Sequence, residues 1–106
     1  MKLVVVETPY AGDKERNVAY ARRAMRDCLM REEAPFASHL LYTQPGVLDD
    51  DIHAERGLGI DAGFHWGDKS DATVVYIDLG ITPGMKLGIE RAEKCGRPVI
   101  YREIGP

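Results

Sequence analysis

Two short runs constrain this chain most: KLVVVE at 2–7 and ATVVYID at 72–78. The first is rich in β-branched residues and predicts a buried strand; the second is the clearest central strand of the sequence. APFASHL (34–40) is a weaker strand candidate, and RPVIYRE (97–103) closes the chain as another. Between them lie three segments of helical character. Asp13 is placed to cap the first, with Glu15 in its opening turn and Val18, Ala21, Met25, Cys28 and Leu29 at helical spacing. The second spans 51–67, with Ile52, Leu58, Ile60 and Phe64 as candidate core positions. Its glycines 57, 59, 63 and 67 oppose a helix, at about 1 kcal/mol each relative to Ala. The third covers 84–95. Strands alternating with crossovers of this length imply a parallel sheet covered on both faces. The expected fold is α/β, a small doubly wound, Rossmann-like or flavodoxin-like sheet of about four strands in an order near 2-1-3-4.

A chain of 106 residues holds one compact domain, taken as 1–106. Its net charge of −3 offers no basic stripe for a nucleic-acid polymer or an anionic membrane. Arg22, Arg23 and Arg26 are read as a solvated helix face. Cys28 and Cys95 lack the spacing of a zinc site or a disulfide framework, so both are expected as free, helix-borne thiols in a reducing, cytoplasmic setting. No stretch is apolar for long enough to span a membrane, and MKLVVVETPY is too short an apolar run for a signal peptide. His53 and His65 lie twelve residues apart with no cysteine nearby, and Asp49–Asp51 lack the glycine-centred spacing of a calcium loop, so neither metal nor cofactor is expected. The glycines at 57, 59 and 63 do not fit a dinucleotide fingerprint and are read as close-packing positions. Phe64 and Trp66 are assigned to the core or a subunit interface.

In doubly wound sheets the ligand lies beyond the carboxyl ends of the strands. That rule selects Glu7, Thr8 and Tyr10 after the first strand, His39 at the end of the second and Asp78 at the end of the third. The start of the third helix, near Gly84 and Met85, brings free backbone N–H groups and a positive dipole end, suited to a polar or anionic ligand. Asn17, in the first turn of the first helix, is a further ligand candidate.

PYAGD after the first strand, YID ending the third, and PGMKLGIERAEKCGRPV together resemble the nucleoside 2-deoxyribosyltransferase-like superfamily. The likeness is closer to a small branch with a Tyr-x-Gly-Asp turn (Tyr10 to Asp13), an Arg-Asn pair (Arg16, Asn17), a Pro-x-x-x-His-Leu stretch (Pro35 to Leu40) and a Gly-Met helix start (Gly84, Met85). The resemblance implies a nucleoside or nucleotide held at the strand ends of a homodimer or larger assembly, with N-glycosidic cleavage or transfer as the chemistry. It implies that Asp78 holds sugar hydroxyls and that Tyr10 and Gly12 lie against sugar or base. It also places the attacking glutamate of the transferases at Gly88. Glu90 cannot replace it, being turned about 200° away on the helix. Glu7 is then the provisional acid or nucleophile, paired with Asp78 across the sugar, and His39 contacts base or phosphate. Two functions follow from different classes: an N-glycosidase or deoxyribosyltransferase acting on a nucleoside 5′-monophosphate, or a non-catalytic module that binds or sequesters a nucleotide.

Overall fold

The computed structural model describes residues 1–106 throughout. Strand β1 (Lys2–Glu7) leads into α1 (Lys14–Met30) and β2 (Glu33–Phe36); a short α2 (Ser38–Leu41) and α3 (His53–Gly67) precede β3 (Ala72–Tyr76), α4 (Pro83–Lys94) and β4 (Val99–Arg102). The four strands form one all-parallel sheet in the order β2-β1-β3-β4, as the sequence implies. No helix is long and apolar enough to cross a membrane.

The pleat divides the central strands between two faces. Val4 and Val6 of β1, with Ala72, Val74 and Tyr76 of β3, pack under α1 against Tyr20, Ala24 and Cys28. Val75 turns the other way and packs with Met85 and Ile89 of α4. Register pairs Val6 with Val74 and Glu7 with Val75, so Glu7 shares the α4 face.

The second strand candidate is corrected. β2 stops at Phe36, and His39, expected at a strand end, instead lies in α2. Pro35 is tolerated in β2 because this is an edge strand, where a missing N–H costs no ladder bond. The buried stripe of α1 is Asn17, Tyr20, Ala21, Ala24 and Cys28, rotated from the expected one, and Leu29 is exposed. Small residues let the helix axis approach the sheet, and the larger Val18 and Met25 flank the contact half-buried.

Helix α3 forms despite its glycines, but not on the expected apolar stripe: Ile52 and Leu58 are exposed, Ile60 and Phe64 only half-buried, and its buried positions are Gly63 and Gly67. A methyl group on Gly63 would meet Ser38 at 2.8 Å, and one on Gly67 would meet Val5 at 3.2 Å. These glycines are thus the ridge along which α3 seats against α2 and the sheet. Trp66 is 62% exposed, outside the core, although its ring tilts against Phe36. Cys28 is buried as expected, whereas Cys95 is exposed at the end of α4.

Candidate functional site

Glu7 is the last residue of β1, and the pleat aims it at α4. Its carboxyl lies directly over Gly88: a methyl group at residue 88 would overlap Glu7 Oε2 and its carboxyl carbon. No side chain larger than hydrogen fits at 88 while Glu7 holds this position. The carboxyl accepts no hydrogen bond from the protein. It is half-buried by surface area, yet protein atoms surround it closely, and that burial raises its pKa to about 8 against a partial opposing pull from the Arg97 guanidinium.

Glu7 forms one wall of a cleft of about 350 Å³ at the carboxyl ends of the strands. Thr8, Tyr10, Ala11, Ser38, His39, Asp50, Arg56, Ile60 and the start of α4 from Thr82 to Met85 line the rest, so the cleft holds the Asp50 carboxyl as well as the Arg56 guanidinium. His39 Nε2 is 2.7 Å from Thr8 Oγ1, and the imidazole stands edge-on to the Tyr10 ring. Burial lowers its pKa to about 4, so the ring is neutral at physiological pH. Lys14 lies 5.4 Å from the Tyr10 ring centre and pairs with Asp51 at 2.9 Å, tying the acidic loop to the first βα turn.

At the head of α4, Thr82 Oγ1 accepts from Met85 N at 3.3 Å and Pro83 occupies the first turn. Of the two amides expected to face a ligand, that of Met85 is therefore committed to the cap, and Gly84 N–H is the one left. Arg56, which sequence reading passed over, extends from α3 so that its guanidinium comes within 3.7 Å of a methyl group placed on Gly84. It pairs with no carboxylate in the molecule. A lone arginine in a glycine-rich segment carries no recognisable sequence signal; only the packing of α3 beside α4 brings it to the helix start.

Several expected site residues lie elsewhere. Asp78 does not line the cleft. Its carboxylate accepts from Tyr20 Oη at 2.5 Å and from the backbone N–H groups of Ile104 and Gly105 at 2.9 and 3.0 Å. The Tyr20 hydroxyl and those amides hold its pKa down to about 2. Glu7 faces α4 with the odd-numbered β1 residues, whereas Asp78, two residues past the end of β3, is held by Tyr20 of α1, so the two fall on opposite sides of the sheet. In this structure the two carboxyls do not face each other across the cleft. Asn17 is also engaged internally: its amide donates to the carbonyls of Tyr10 and Ala11 at 2.9 and 3.1 Å, shaping the loop that presents Tyr10. Gly12 adopts φ +98°, the left-handed turn that glycine favours, and does not itself line the cleft, although Tyr10 and Ala11 of the same turn do. Gly88 lies behind Glu7, not in the cleft itself.

The solved structure of a 2-deoxyribosyltransferase from the psychrotolerant bacterium Bacillus psychrosaccharolyticus, described as a biocatalyst for nucleoside synthesis, shares this fold. The TM-score is 0.65 and the identity 16%, over 95% of this chain and 72% of that one. No curated protein matches the sequence. Residues 2–102 match a family model described as a domain of unknown function, DUF7768, and the chain belongs to that family.

Proposed function

We propose that the protein breaks the N-glycosidic bond of a nucleoside or nucleoside 5′-monophosphate, with Glu7 as the reacting carboxyl. The observation that carries this reading is the Glu7 carboxyl seated over Gly88. The superfamily resemblance assigns an attacking glutamate to the position of Gly88. Here a carboxyl reaches the same locality from β1, and the glycine makes room for it.

A carboxyl with a pKa near 8 is mostly protonated at neutral pH and suits proton donation. Glu7 gives its proton to the leaving base as the C1′–N bond breaks and its electron pair departs with the base. The carboxylate that remains then faces the oxocarbenium-like sugar and stabilises its positive charge. Tyr10 and the neutral His39 form the wall against the base. Arg56 and the Gly84 N–H at the head of α4 favour a phosphate on the sugar. Asp78 takes no part in this scheme, because its carboxylate is committed to the opposite face.

The test is chromatographic detection of free base after incubation with ribo- and deoxyribonucleosides, their 5′-monophosphates and NAD, with Glu7→Gln as control. The expected result is release that is fastest from a monophosphate and lost in the control. Arg56→Ala is expected to raise KM for monophosphates and leave nucleosides unaffected. Ligand binding with no release from any member would overturn the enzyme reading and establish a module that holds a nucleotide without cutting it.

A further inference from the structure

Behind Glu7, on the side away from the cleft, lies a second and more enclosed cavity of about 60 Å³. Val5, Ser38, Gly63, Gly67, Gly88 and Arg97 form much of its wall, and Glu7, Ser38 and Ile60 border both it and the outer cleft. The glycines keep it open: a methyl group at 63 would press on Ser38, at 67 on Val5, and at 88 on Glu7. The volume is several times the ~10–15 Å³ that one water requires.

The wall also carries polar groups that the protein leaves unpaired. Arg97 uses Nε on Thr73 Oγ1 at 3.0 Å and Nη1 on the Gly67 carbonyl at 2.7 Å, which leaves Nη2 free. Its side chain as a whole is only 6% exposed and Nη1 also lies 3.9 Å from Asp68 Oδ1, while Nη2 keeps some contact with solvent. Neither the Ser38 hydroxyl nor the Glu7 carboxyl has a hydrogen-bond partner in the protein. A donor, a hydroxyl and a carboxyl around a small enclosed space supply the two to four partners that a buried water needs.

We infer that this chamber is a water site bridging Glu7 to Arg97 and Ser38, and that it directs the reaction at Glu7 toward hydrolysis in preference to exchange of one base for another. The second half rests on the proposed function; the first does not. Once the base has departed with its proton, Glu7 is a carboxylate with water at its back. Ser38 and Ile60 as well as Glu7 border both spaces, so a water molecule can pass from the chamber into the cleft. There it adds its oxygen to C1′ and returns its proton to Glu7, so the sugar leaves with a hydroxyl and the carboxyl is restored for the next turnover.

The experiment has an arm that needs no activity. Water-to-protein cross-relaxation in the free wild-type protein, read at the Cα protons of Gly63, Gly67 and Gly88, is expected to reveal long-lived water. Those signals should vanish in Val5→Ile, which adds a methyl group to the chamber wall. Gly67→Ala is the second variant should the first fold poorly, its new methyl group 3.2 Å from Val5 Cγ2. In the activity arm, isotopically labelled free base is added to a turning-over reaction. Wild type should release base without incorporating the label, and Val5→Ile should hydrolyse about tenfold more slowly. No long-lived water in the wild type overturns the inference whatever the activity. Water present with label incorporation outrunning hydrolysis overturns the assignment to hydrolysis. Water present with no base release at all removes that assignment together with the function it rests on, and leaves the water site standing.

Discussion

The two faces of the sheet are built on opposite terms. Under α1 the polar groups are closed into pairs. Arg102 grips Glu33 through two contacts of 2.6 and 2.7 Å, joining the opposite edge strands β4 and β2. The Tyr76 hydroxyl donates to Asp27 at 2.7 Å beside the Cys28 thiol, and Tyr20 donates to Asp78. Small side chains bring α1 close, and the hydroxyls of Tyr20 and Tyr76 are held well above their usual titration range, chiefly by burial. On the other face, glycines bring α3 and α4 close, but they leave space beside Glu7, Ser38 and Arg97 that nothing in the chain fills. The first face spends its polar groups on stability. The second leaves the Glu7 carboxyl and the Arg56 guanidinium without a protein partner, and holds the His39 imidazole only through Thr8.

That contrast can be broken most severely at Glu7. Glu7→Gln should lower base release by about 10²–10⁴-fold with ligand binding retained, as read by chromatography and calorimetric titration. An active Glu7→Gln protein would move the chemistry to another group. Gly88→Ala comes next, because its methyl group cannot coexist with the present Glu7 position. Overpacking of this kind costs about 1–3 kcal/mol, and activity should fall with the displaced carboxyl. Glu7→Ala combined with Gly88→Glu sharpens the point: it moves the carboxyl to the helix, and base release should return.

The paired face should behave in the opposite manner. Tyr20→Phe removes a buried hydroxyl from Asp78 and should lower stability by about 1–2 kcal/mol in urea denaturation, with kcat unchanged. A large fall in kcat with stability intact would return Asp78 to the ligand.

The smallest effect is on pH dependence. Folding raises the Glu7 pKa from 4.5 to about 8, so the folded form holds the proton longer than the unfolded chain. Its contribution is full below pH 4.5 and is lost as pH rises toward 8. His39 has the reverse sign: lowered from 6.5 to about 4, it loses stability as pH falls through that window. Above pH 6.5 the decline therefore belongs to Glu7, and Glu7→Gln should abolish it. The difference is about 1 kcal/mol, discounted for the partial exposure of Glu7, and thermal melts at pH 6.5 and 8 would detect it.

Much of the fold is legible along the chain. The runs at 2–7 and 72–78, with no room for polar alternation, demand a parallel sheet covered on both sides, and crossover handedness leaves few strand orders. The period of the pleat even contains the side of the sheet that Glu7 takes, once the register of β1 against β3 is known. That register is a matter of long-range pairing, and so is the site. Gly88 alone looks like a missing nucleophile; only the packing of α4 over the end of β1 turns it into the space that Glu7 occupies. Likewise Gly63 and Gly67 look like flaws in a helix until α3 is set against Ser38 and Val5, and Arg56 has no visible role until α3 lies beside α4. Local composition determined the two central strands, the Asp13 cap and the alternation of side chains along those strands, because those depend on near neighbours. Which polar groups are paired and which are left facing empty space was decided only by the approach distance of helices far apart in sequence.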